Sequence, residues 1–308
     1  MGTPEFSVPV LQSIAVAGHE IVAVITAPDK PSGRGLTLSE SAVKKAAVEM
    51  GLPVLQPDKL KGEEFIATLK NLNADVAVVV AFRMLPEAVW RIPTKGTLNL
   101  HASLLPDYRG AAPINWAIIN GETETGISTF LIDKEIDTGA VLMQEKFALP
   151  AEWDAGKLHD FMMTRGGDLV VKTLEAIENN SVKPVPQFAD AKHHSAPKIF
   201  KDTCRIDWTW NVVHIHNLVR GLSPYPTAFT ALDGKLMKVF KGKSLKGAAP
   251  ALPGTVFSNE KNYLAIACED GLYELMEIQL EGKKRMTTEE FLRGYKLKNF
   301  TKVVHDQF

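Results

Sequence analysis

Two spacings of hydrophobic residues alternate along the first half of the chain. Short, almost wholly apolar runs, EIVAVITA at residues 20–27 and DVAVVVA at residues 75–81, read as strands buried on both faces. Between them, residues 39–50 and 58–71 carry apolar side chains at helical spacing and stop near Gly51 and Asn71. TLNLH (Thr97–His101) follows as another strand, then a Pro/Gly-rich loop to Pro113 and a helix over residues 114–120. ISTFLI and VLMQEKFAL flank the turn IDTG, which predicts an antiparallel pair appended to the sheet. Leu158, Phe161, Met162, Leu169, Val170, Leu174 and Ile177 fall on one face of a long helix that ends at Asn179 and Asn180. This order predicts an α/β fold, a Rossmann-like, mostly parallel sheet covered by helices, over residues 1–180.

The pattern then changes. Residues 181–200 hold three prolines, two adjacent histidines and little periodicity, and read as a linker. Beyond it, a helix over residues 211–220 precedes the short runs TAFTAL, KLMKVF, YLAIAC and YELMEIQL. Thr287 and Glu290 form a capping pattern that opens a last short helix. Residues 201–308 are therefore predicted to build a small, OB-like β-barrel.

Composition agrees with two cores: 308 residues, 45% hydrophobic and 23% charged. No apolar run approaches the ~20 residues that cross a bilayer, and the start MGTPEFSVPV lacks the parts of a signal peptide, so a cytoplasmic location is expected. The net charge is −1, but it divides unevenly. Residues 1–200 carry 19 basic against 24 acidic residues, and residues 201–308 carry 16 against 12. That excess suits a polyanionic partner or a solvated surface equally. Cys204 and Cys268 stand outside any metal-ligand spacing, so neither zinc nor a disulfide is expected. GxGxxG, GxxxxGK[ST] and GxSxG motifs are all missing, which argues against nucleotide phosphates and an elbow-type serine hydrolase.

The segment NLHASLLPDYRGAAPINWA, starting at Asn99, carries the densest local chemistry. Strand alternation puts Asn99 and His101 on one face at a carboxyl end, where open α/β sheets place their ligand crevice. Asp137, in the tight turn IDTG, can return a carboxylate to the same crevice. An amide that donates to a developing oxyanion, beside an imidazole oriented by a carboxylate, suits acyl transfer. Taken singly, the histidine also fits a structural role and the DTG a plain turn.

Together, the Asn-x-His pair, the SLLP-x-x-RG-x-x-P loop and the later aspartate resemble the 10-formyltetrahydrofolate-dependent formyltransferase family. GTPEFSVPVL, PDKPSGRG, RGAAPINWAI, CRIDWTW and IHNLVRGLSPYP are similar to the branch that formylates methionine on initiator tRNA. The resemblance implies that Asn99, His101 and Asp137 are catalytic and that Ser103, Leu104, Leu105 and Pro106 contact 10-formyltetrahydrofolate, with no metal. It implies initiator methionyl-tRNA as partner, met by Arg34 of GRG and by residues 201–308, and a monomeric enzyme. Lys238 and Lys241, within a strand pattern, are candidates to face tRNA phosphates or solvent. Two other readings stand beside this one: formylation of a small amine such as glycinamide ribonucleotide or an amino sugar, and a non-catalytic folate- or RNA-binding protein. The sequence departs from the family at three places. A strand is expected before MGTPEF, whose absence would leave neighbouring strand edges unpaired; Leu36 and Thr37 replace lysines after GRG; and Ala81, Phe82 and Arg83 stand where the family has AYG.

Overall fold

The β-branched runs of the first half pair as their spacing predicts. In the computed structural model, which describes residues 1–32, 37–188 and 193–302, β1 (Val24–Ile25) runs parallel to β2 (Val54–Leu55). β3 (Ala77–Val80) runs parallel to β4 (Thr97–His101). β5 (Glu124–Leu131) joins β4 antiparallel, and β6 (Val141–Ala148) joins β5 in the same sense. The IDTG hairpin is thus the appended edge.

Met1 and Gly2 bridge β1 to β3. Gly2 N donates to Ile25 O at 3.1 Å, Val80 N donates to Met1 O at 2.9 Å, and the Met1 ammonium donates to Val78 O at 2.6 Å. A cavity of about 590 Å³ adjoins this bridge, lined among others by Val10, Ile14, Leu72, Val78 and Leu174. Residues 20–23 also line it, and the strand predicted over residues 20–27 contracts to Val24–Ile25. Burial pushes the Met1 ammonium from its ordinary 8.0 down to about 5, because a charge loses its hydration there.

Helices cover the sheet where the apolar spacing changes. Ala42–Glu49 starts at Ser41, whose hydroxyl accepts from Lys44 N at 3.0 Å, and Glu63–Asn71 starts at the extended Gly62. Ala155–Glu178 is the long helix, with Leu158, Met162 and Val170 wholly buried. A Cβ on its Gly166 would lie 2.6 Å from Leu100 Cδ2, so this helix backs the leucine face of β4.

The stretch read as a linker behaves otherwise. Val185 exchanges two backbone hydrogen bonds of 2.8 Å with Val141, and Ser195–Ala196 runs parallel to Arg109–Gly110. Pro184 and Pro186 deny residues 181–188 a helix, but an extended chain still offers alternate N–H and C=O groups to a free edge. By contact, one compact unit comprises Met1–Gly110, Glu124–Ala148 and His159–Ala196, and the other Ala111–Thr123, Leu149–Leu158 and Pro197–Phe308.

In the second unit β7 (Ala228–Leu232), β8 (Lys235–Lys246), β9 (Val256–Ser258), β10 (Leu264–Cys268) and β11 (Gly271–Leu280) form a mainly antiparallel sheet. Its order is β7-β8-β11-β10-β9, extended past β9 by Thr301–Lys302, with Met286–Thr287 on β11. The described strands keep two ends, β7 and Thr301–Lys302, rather than pairing into a closed ring. The helix Val212–Leu222 sets Val212, Ile215, Leu218, Val219 and Leu222, at helical spacing, into a core with Met237, Val239, Tyr273, Leu275 and Ile278. Asn211 caps it, its Oδ1 accepting from His214 N at 2.8 Å. Thr287 and Glu290 form the predicted capping box of Thr288–Gly294. Cys204 and Cys268 are free and buried, and burial pushes the Cys268 thiol up to about 12. Among the described residues, no helix is long and apolar enough to cross a membrane.

Candidate active site

β4 sorts its side chains by parity. Leu98 and Leu100 turn into the core; Asn99, half-buried, and His101, buried, share the other face. His101 Nε2 lies 2.9 Å from Tyr108 O. A carbonyl only accepts, so Nε2 carries the hydrogen and Nδ1 is the position left for proton exchange. Phe130, opposite Asn99 in the register, meets the imidazole edge to face at 6.4 Å and restricts its rotation.

Asp137 reaches the same ring from the β5–β6 turn. Its Oδ2 stands 3.9 Å from His101 Nδ1, with the two side chains 18% and 8% exposed. Little water can screen that pair. The same Oδ2 accepts from Gly110 N at 3.0 Å. Backbone geometry makes this approach possible. Asp137 has φ 56°, and a Cβ on Gly139 would fall 1.7 Å from Leu131 O, so the turn closes only around glycine there. Gly110, at φ 126°, passes Ala196 O where a Cβ would lie 2.4 Å away.

The SLLP loop is held from within. Ser103 is fully buried and its hydroxyl donates to Asp107 O at 2.6 Å, while Ser128 Oγ accepts from Leu105 N at 3.0 Å and donates to Ser103 O at 2.6 Å. Gln144 Nε2 adds a bond of 2.9 Å to Leu105 O. Leu105 is buried, and Leu104 and Pro106 are half-buried. The loop is thus a rigid wall beside His101. Met84, four residues past β3, and Ile136, next to Asp137 in the turn, are 74% and 60% exposed.

With this geometry in view, known proteins are informative. The model of the family described as "Formyl transferase" matches residues 1–174, and that of "Formyl transferase, C-terminal domain" matches residues 198–296. The chain belongs to the formyl transferase family. Among its relatives, the methionyl-tRNA formyltransferase of Bacteroides thetaiotaomicron is 48% identical, over 96% of this chain and 95% of that one. The methionyl-tRNA formyltransferase of Flavobacterium johnsoniae is also 48% identical, over 98% and 97%. An N-formyltransferase from Helicobacter canadensis, solved with folinic acid and dTDP-3-aminofucose, shares the fold with a TM-score of 0.64, at 19% identity over 92% of this chain and 97% of that one.

Within this formyl transferase, sequence spacing anticipated the shared strand face of Asn99 and His101 and the approach of Asp137 to His101, but not the groups that support them. Tyr108 contributes a carbonyl and Gly110 an N–H, both backbone groups that residue type does not announce. Gln187 lies 50 residues from Asp137 in a stretch without periodicity, and its donation to Asp137 O at 3.0 Å had no local signal. His193 and His194 gather near the site through Asp107, whose Oδ1 lies 3.3 Å from His193 Nδ1 and accepts from His194 N at 3.1 Å. Among the described residues, no group of three or more His, Cys, Asp or Glu side chains gathers as a metal site.

The tRNA candidates fall elsewhere. Arg34 lies outside the described residues. Lys238 and Lys241, three apart, would face opposite sides of a regular strand. A register shift in β8 around Lys241 turns both outward while Met237 and Val239 stay buried. The Arg285 guanidinium lies over the intervening Phe240 ring at 4.4 Å and is paired with Glu277, the residue opposite Lys241 in the register.

Proposed function

We propose that this formyl transferase moves the formyl group of 10-formyltetrahydrofolate to the α-amino group of methionine carried on initiator tRNA. The observation that carries the chemistry is the approach of Asp137 Oδ2 to His101 Nδ1 at 3.9 Å, with Nε2 already committed to Tyr108 O. The acceptor is supported by relatives of that activity that match nearly end to end. Its place of action is then the compartment of translation, the cytoplasm.

10-Formyltetrahydrofolate supplies a carbonyl carbon on a nitrogen that can leave once protonated. The residues do the rest. Asn99 donates an amide N–H to the carbonyl oxygen as it gains charge, and the wall of Ser103, Leu104, Leu105 and Pro106 fixes the donor beside it. His101 takes a proton at Nδ1 from the attacking amine and can return it to the departing nitrogen. An imidazolium formed in that step faces the Asp137 carboxylate. At an effective dielectric of ~20, charges about 4 Å apart attract by about 4 kcal/mol before desolvation is counted. Lys238, Lys241 and Arg34 are assigned to the tRNA backbone, where unpaired positive charge displaces counterions.

The test offers the purified chain 10-formyltetrahydrofolate with charged initiator tRNA, and separately with glycinamide ribonucleotide or a nucleotide-linked amino sugar. Formyl-methionyl-tRNA is the expected product. Faster formylation of a small amine, or a salt-dependent tRNA complex without product, would each overturn the proposal.

A further inference from the structure

The left-handed backbone of Asp137 raises the question of what holds it. A non-glycine residue seldom adopts that conformation and persists in it where its surroundings over-determine it. Gln187 supplies that restraint. Its Nε2 donates to Asp137 O at 3.0 Å and to Gly139 O at 2.7 Å, spanning the turn. Its Oε1 accepts from Arg109 Nε at 3.1 Å and from Arg109 Nη2 at 2.8 Å. Both hydrogens of the amide nitrogen and both lone pairs of the amide oxygen are therefore used. The circuit closes through the next residue, since Gly110 N donates to the Asp137 carboxylate. Val185, two residues before Gln187, is itself fixed by its pair of bonds to Val141.

We propose that Gln187 is a positioning residue for formyl transfer: it clamps the 137–139 turn so that the Asp137 carboxylate faces His101, and it touches no substrate. This rests on the reading of Asp137 as catalytic. An amide is required because the clamp donates on one side and accepts on the other. A glutamate of the same shape keeps the bonds from Arg109 but turns an oxygen toward the Asp137 and Gly139 carbonyls, where it repels.

The experiment compares Gln187→Glu and Gln187→Ala in the full chain by steady-state kinetics with both substrates. The ¹⁵N-labelled Gly110 amide, which reports the Asp137 carboxylate independently of turnover, is followed by NMR. Both variants are expected to lower kcat at least 10-fold with each KM changed less than twofold, and to shift the Gly110 amide and speed its exchange. In an Asp137→Asn background, Gln187→Glu is expected to reduce kcat no further, since the two residues act as one unit. Wild-type kcat in both variants, an unmoved Gly110 amide, or a full additional loss in the double variant overturns the proposal. Failure of the underlying reading looks different: Asp137→Asn alone would keep full kcat. The clamp would then be judged on Gly110, a shifted amide supporting its hold on the turn and an unmoved one refuting it.

Discussion

At the scale of single residues, the site depends on which atoms remain free after the fold has used the others. His101 spends Nε2 on Tyr108 O, which leaves Nδ1 as the ring nitrogen beside Asp137 and as the one proposed for chemistry. Removal of one oxyanion donor typically costs ~10²–10³-fold in rate. Asn99→Ala is therefore expected to lower kcat by about that factor while folate affinity, measured by fluorescence quenching, stays within a few-fold. His101→Ala is expected to do at least as much. Turnover near the wild-type rate in either variant would remove that residue from the machinery.

At the scale of elements, the second unit rests on a helix whose apolar face is complete: Val212, Ile215, Leu218, Val219 and Leu222 are at most 2% exposed. Truncating a buried leucine usually costs ~2–5 kcal/mol through lost transfer energy and the cavity left behind. Leu218→Ala should cost a destabilisation in that range in urea unfolding, and a change below ~1 kcal/mol would show that the core collapses around it. Elements with strong periodicity were legible in the sequence. TLNLH emerged as Thr97–His101, and the Thr287/Glu290 cap as a complete capping box. Asn99 and His101 followed from strand parity, which needs no tertiary knowledge. The pairings of Val185 and of Ser195–Ala196 were not legible, because they come from backbone groups meeting distant edges at Val141 and Arg109, and composition carries no trace of that. The same holds for Gln187 and for the β8 bulge that turns Lys238 and Lys241 to one side. A strand's parity is readable only until an irregularity resets it.

At the scale of the whole molecule, charge governs the choice of partner. For tRNA, each phosphate contact contributes roughly 0.7–0.9 to the slope of log affinity against log salt. Lys238→Ala and Lys241→Ala should each reduce that slope by up to one such step, whereas an unchanged slope would return both lysines to solvent. The buried cysteines have a practical consequence. Burial raises the pKa of both the Cys204 and Cys268 thiols, so each presents less of the reactive thiolate at neutral pH than a free cysteine does. A single cysteine introduced at exposed Val16, which is 88% accessible, would then carry a maleimide fluorophore with little background. Formylation and tRNA release could be followed on individual molecules without first stripping the native sulfurs.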